Sequence, residues 1–101
     1  MTKPVQVEPE ARDEYLSAQD WYEAQRPGLG EDYLTAVIET LARLQAIEQH
    51  PVVRTVAGQP VRQAHVRRFP YRVVFMETPD AIRVLAIAHD KRRPDYWLRR
   101  V

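Results

Sequence analysis

Apolar positions recur along this chain in two rhythms, and the change from one to the other divides it. From Ala11 the apolar residues Ala11, Tyr15, Ala18 and Tyr22 step by four, three and four, which is one face of an α-helix, and Trp21 widens the stripe. Glu8-Pro9-Glu10 supplies the start of that helix, since proline fits a first turn and carboxylates complement its positive end. Residues 3–7 alternate before it and read as a short strand. Arg26-Pro27-Gly28-Leu29-Gly30 is dense in helix breakers and has the length that joins two antiparallel helices. Tyr33, Val37, Leu41 and Leu44, flanked by Leu34, Ile38 and Ile47, form a second, broader stripe that ends at His50-Pro51, so the second helix is expected to be the more deeply buried.

Beyond Pro51 the helical period is gone. Residues 52–60, VVRTVAGQP, sustain no period and contain Gly58 and Pro60, so they are expected to be a loop. Three strand-like runs follow. Residues 61–69 are polar and basic with Ala64 and Val66 on one face, residues 71–76 are mostly β-branched or aromatic, and residues 82–88 are nearly all apolar. Glu77-Thr78-Pro79-Asp80 supplies the turn that pairs the last two as an antiparallel hairpin. The predicted order is β-α-α-β-β-β. Consecutive helices and clustered strands predict an α+β fold, a helical hairpin packed on one face of a mostly antiparallel sheet, as one domain over residues 1–101.

Composition narrows the class. A chain of 101 residues supports one core. It has no cysteine, which excludes disulfide staples and thiolate metal sites, and the three histidines show no spacing that points to a metal. No cofactor is expected. No apolar run approaches the length of a membrane span, and the start, MTKPVQVEPEA, lacks the charged-then-apolar order of a signal peptide, so the expected location is the cytoplasm, with no membrane partner. Charge is divided unevenly. Residues 1–50 carry 4 Lys/Arg against 10 Asp/Glu, and residues 51–101 carry 11 against 4, within a net charge of +1. A basic half attracts nucleic acid or an acidic protein segment, or it simply complements the acidic half across a core; the sequence leaves all three open.

Three phrases, in order, carry a resemblance: Trp21-Tyr22-Glu23 to Arg26-Pro27-Gly28-Leu29-Gly30, then Arg68-Phe69-Pro70-Tyr71-Arg72-Val73, then Val84-Leu85-Ala86-Ile87-Ala88-His89 to Arg92-Arg93-Pro94-Asp95-Tyr96-Trp97. Together they resemble toxins of the RelE/ParE superfamily from bacterial type II toxin-antitoxin systems, over nearly the whole chain. The resemblance implies a growth-inhibiting toxin neutralised by a cognate antitoxin that wraps it, with operator DNA contacted only through the antitoxin. The superfamily divides by target. RelE-like members cut ribosome-bound messenger RNA, whereas ParE-like members poison DNA gyrase without a known hydrolytic site.

Metal-free RNA cleavage needs a base for the ribose hydroxyl, a cation for the phosphate and an acid for the leaving oxygen. Arg72, His65, His89 and Tyr96 are the candidates, with Arg72 and His89 expected to converge on one surface and Tyr96 just beyond. The plainer alternatives are a solvated or ion-paired strand arginine, a turn histidine, and aromatic residues that pin the C-terminal end to the core. Arg72 and Tyr96 match the RelE pattern, but Gln63 and His65 stand where its strand lysines are expected, and Asp90 stands where it has an arginine. A carboxylate there repels phosphate. The balance falls to a ParE-like gyrase poison, with RelE-like endoribonuclease as the alternative and an inactive toxin that still binds antitoxin as a third. Arg67, Arg68, Lys91, Arg92 and Arg93 are the candidates for contact with nucleic acid or an acidic antitoxin segment, against the plainer reading of a solvated tail. The antitoxin groove itself is expected among apolar and aromatic residues between the helical hairpin and the sheet.

Overall fold

The computed structural model describes residues 3–101. Met1 and Thr2, which belong to the expected domain and to the segment inspected for a leader, lie outside the described residues. A short strand β1 (Val5–Val7) leads into helices α1 (Pro9–Gln25) and α2 (Leu29–Arg43), and strands β2 (Val52–Val56), β3 (Gln59–His65), β4 (Tyr71–Glu77) and β5 (Ile82–His89) follow. They form one sheet of five strands in the order β1-β5-β4-β3-β2. β1 runs parallel to β5, and every other pairing is antiparallel. The α+β expectation is met, with one strand more than the sequence pattern predicts.

The additional strand is β2, in the segment expected to be a loop. Its burial pattern explains the miss: Val52 to Thr55 are exposed and only Val56 is partly covered, so no apolar alternation marks it. The turn into β3 is formed by Ala57 and Gly58, both at positive φ, 51° and 79°. That conformation at both central residues is what a two-residue hairpin requires, and alanine is an unusual residue to supply it. Pro60 lies where β3 outruns β4, so its missing N–H leaves no gap in the ladder between them. At the other end β3 stops at His65, and residues 66–70 make a tight turn in place of the longer strand expected.

The helical hairpin is fixed by its breakers. Gly28 takes φ +89°, a backbone conformation costly for other residues. The Glu23 carboxylate accepts the backbone N–H groups of Gly28 at 3.1 Å and Gly30 at 3.0 Å, so the last turn of α1 caps the first turn of α2. A Cβ on Gly30 would sit 2.7 Å from the Gln19 carbonyl oxygen, which shows how closely the helices cross. α2 is the more buried helix, with Gly30, Tyr33, Ala36, Val37 and Thr40 covered, against Ala11 and Ala18 in α1. Trp21 departs from the expected stripe. Its side chain is 59% exposed, because it turns edge-on to Tyr22 at the outer margin of the helix face.

The sheet is buried on both faces. Under the hairpin lie Val73, Phe75, Ile82, Val84 and Ile87, together with an aromatic group of Tyr22, Tyr33, Phe69 and Tyr71 whose ring centroids stand 5.0–6.2 Å apart. On the opposite face Val61, Val74, Met76, Leu85 and Ala86 pack against Trp97, which is 2% exposed. The C-terminal segment therefore folds back across the sheet, which is why β4 and β5 read as nearly continuous apolar runs.

Candidate functional site

Of the nine residues singled out for chemistry or binding, His65, Arg67, Arg68, Arg72 and His89 sit on the β3–β4 turn or at the strand ends beside it, and Lys91, Arg92, Arg93 and Tyr96 follow β5. Register explains the grouping. Tyr71 pairs with His89, and the Asp90 N–H donates to the Pro70 carbonyl at 2.8 Å, so the β3–β4 turn and the exit from β5 are neighbours at one end of the sheet. Arg67 and Arg68 extend from the first loop, Lys91, Arg92 and Arg93 from the second, and all five are exposed.

Within that end the four catalytic candidates separate. Arg72 pairs with His65 on β3 and Ala88 on β5, whereas His89 pairs with Tyr71. Successive residues of a strand point to opposite faces, so Arg72 and His65 share one face and His89 shares the other with Tyr71. The expected convergence of Arg72 with His89 does not occur. The Arg72 guanidinium donates to the His89 carbonyl at 3.3 Å and lies 3.7 Å from the Asp90 carboxylate. Asp90 also stands 3.8 Å from His65 Nε2. The carboxylate that departs from the RelE pattern thus occupies the face where a phosphate would have to approach Arg72, and it opposes that approach by charge.

On the hairpin side, the His89 ring stands edge-on to Tyr71 with centroids 5.1 Å apart, and its Nδ1 accepts the Lys91 N–H at 3.0 Å. A shallow pocket there is lined by Asp13, Glu14, Trp21, Tyr71, His89 and Tyr96. Glu14 organises its floor. One oxygen accepts the Tyr96 phenol at 2.5 Å, the other accepts the Ile87 N–H at 3.0 Å and the Arg100 guanidinium at 2.9 Å. Arg100 also donates to the Leu85 carbonyl at 2.9 Å. β1 pairs with β5 from Ile82 to Val84, so the unpaired edge of β5 beyond Val84 is met by side chains from α1 and the tail instead of another strand. Burial, with the Glu14 hydrogen bond and charge added, pushes the Tyr96 phenol well above its ordinary pKa. Burial works against the Arg100 charge, but the Glu14 contacts outweigh it and raise the pKa. Tyr96 is therefore a neutral donor whose proton is committed to Glu14, poorly suited to release it to a leaving oxygen.

Sequence reasoning missed Glu14. It is one of several acids on an amphipathic helix, and the signal that distinguishes it, a tyrosine and an arginine more than 80 positions later in the chain, exists only in three dimensions. Among the described residues no group of three or more His, Asp or Glu is placed to hold a metal ion.

Comparison with known proteins bears on this arrangement. Residues 5–94 match the model of a family described as the ParE toxin of the type II toxin-antitoxin system parDE. The chain belongs to the ParE toxin family. No protein of curated function matches the sequence significantly. Among solved structures, a chain of a chromosomal ParDE toxin-antitoxin system from P. aeruginosa superposes with a TM-score of 0.74 at 20% identity, covering 87% of this chain and 96% of that one. At that identity the likeness is one of fold. This ParE-family toxin has, accordingly, a type II antitoxin as its cognate partner class. Among the described residues no helix is long and apolar enough to cross a membrane.

Proposed function

We propose that this ParE-family toxin acts as one domain in the bacterial cytoplasm by binding and poisoning DNA gyrase, without catalysis of its own. The observation that carries the reading is the separation of the four candidate catalytic side chains into two pairs on different faces of the sheet. Arg72 and His65 face Asp90 on one side of the sheet, while His89 and the Glu14-bound Tyr96 stand on the other side or at its edge. A ribonuclease needs base, cation and acid around one phosphate, within hydrogen-bond reach of the reacting atoms. Purified gyrase with relaxed plasmid is the test: the toxin is expected to suppress supercoiling or accumulate cleaved DNA, and full supercoiling with toxin in excess overturns the reading. Codon-localised cuts in a translated message, abolished by Arg72→Ala in a folded variant, would establish the endoribonuclease instead.

For the antitoxin, the surface best suited is the groove between α1 and α2 beside β1, lined by Val7, Tyr15, Leu34, Val37, Ile38 and Leu41. Ile38 is 55% exposed at its rim. An amphipathic helix laid into such a groove buries apolar anchors at helical spacing, which suits a partner that wraps the toxin. Ile38→Asp is expected to weaken capture of the cognate antitoxin by tenfold or more while leaving the fold intact, since the side chain already faces solvent.

A further inference from the structure

We propose that the basic end of the sheet is a docking surface for the phosphodiester backbone of duplex DNA, contacted by the toxin itself. The proposal does not depend on gyrase being the target. Its ground is a difference in how the cations are used. Lys3, Arg54, Arg83 and Arg100 each pair with a carboxylate, and Arg43 and Arg62 donate to the backbone carbonyls of His65 and His50. Arg72 is partly neutralised by Asp90. Arg67, Arg68, Lys91 and Arg93 have no such partner among the described residues, Arg92 lies over the Tyr96 ring at 3.9 Å, which leaves its charge uncancelled, and the other exposed cations without partners, Arg12, Arg26 and Arg99, are not on these two loops.

Placement makes these five one surface. Their two loops leave neighbouring strands joined by the Tyr71–His89 pair and by the Asp90 to Pro70 hydrogen bond. Arg68 is held at φ 72°, a left-handed conformation uncommon for a residue with a side chain, at the tip of the β3–β4 turn. The Lys3–Glu77 pair and the β4–β5 turn lie at the opposite end of the sheet, so the two basic loops gather five cations without carboxylate partners at one end. Unpaired, exposed guanidinium and ammonium groups clustered in this way are what a phosphate backbone selects.

The surroundings favour a duplex over a single strand. Single-stranded nucleic acid is gripped through bases stacked on exposed aromatic rings. Between the two basic loops Phe69 is buried, and Tyr71 is half-buried beneath His89. The exposed ring nearby, Trp21, shares its pocket on α1 with the carboxylates of Asp13 and Glu14, which disfavour a phosphate backbone there. The surface therefore offers charge without stacking platforms, which suits a helix whose bases face inward.

A fluorescent 20-base-pair duplex titrated with the full chain at several salt concentrations tests this. Five phosphate contacts give a slope of log K against log salt of about −4.5, so affinity falls roughly 500-fold between 50 and 200 mM salt. Arg67→Gln combined with Arg68→Asn, chosen because asparagine tolerates positive φ, is expected to flatten the slope by about 1.8; Lys91→Gln with Arg93→Gln should do the same. Lys3→Gln, at the far pole, is expected to leave the slope unchanged. Circular dichroism melting curves establish that each variant is folded. No binding at micromolar chain concentration in 50 mM salt overturns the proposal, as does a slope that the loop variants leave unchanged. Binding to a single strand of equal phosphate number tenfold tighter than to the duplex also overturns it.

Discussion

The two faces of the sheet are covered by different means. The hairpin face is closed by two helices whose apolar stripes are written at helical spacing, and whose mutual approach is set by Gly30 and capped by Glu23. The opposite face is closed by a short irregular segment after β5, held by one buried tryptophan and by the ion-paired cluster of Glu14, Tyr96 and Arg100. A helix distributes its anchoring over many contacts, whereas a dozen residues with a single 3-10 turn, Leu98–Arg100, must concentrate it in a few. This toxin's C-terminal segment is thus a structural wall whose attachment depends on very few side chains, and the basic residues at its start are positioned by the same attachment.

Trp97 is where that contrast is most easily broken. Trp97→Ala is expected to cost about 3–5 kcal/mol, since it empties the whole tail side of the core, and urea unfolding followed by circular dichroism measures it. Next comes Glu14→Gln, which keeps the shape but withdraws the charge that Arg100 and Tyr96 share; a loss of about 1.5–3 kcal/mol is expected, with hydrogen exchange rising first at residues 91–101 and in the Ile87 amide. Protection of α2 amides should persist in that variant. If α2 and the tail lose protection together, the two faces are one cooperative unit and the comparison fails.

The smallest effect is expected on the hairpin face. Tyr33 is fully buried, and its hydroxyl has no hydrogen-bond partner among the described residues. Burial, with the neighbouring Tyr71, Tyr22 and Glu14 adding to it, drives its pKa far above the ordinary tyrosine value. Tyr33→Phe preserves the ring contacts with Tyr22, Phe69 and Tyr71 and removes the orphaned donor, so stability is expected to rise by about 1 kcal/mol in the same urea assay. A loss of stability would mean that the hydroxyl is satisfied, by water for example, and that this face also relies on a polar anchor.

Much of the architecture could be read from residue order because it depends on local period. The α1 and α2 stripes, the breakers between them, and the apolar runs of β4 and β5 each announce their element within a dozen positions. β2 was hidden because a strand exposed along nearly its whole length has no alternation to display, and its turn places an alanine where asparagine or glycine would have given the signal. The basic loops could be named from their composition, but their adjacency could not.

The kind of fold, the family, and the residues with the chemistry to matter thus follow from residue order, because periodicity and motif spacing are properties of the chain. Which of those residues meet is settled by the folded backbone. One step of strand alternation sends Arg72 to Asp90 and His89 to the hairpin side, and the return of the tail brings Tyr96 and Arg100 to Glu14. Contacts between residues far apart in the chain depend on register and on the path of the backbone, and neither is encoded in any local window.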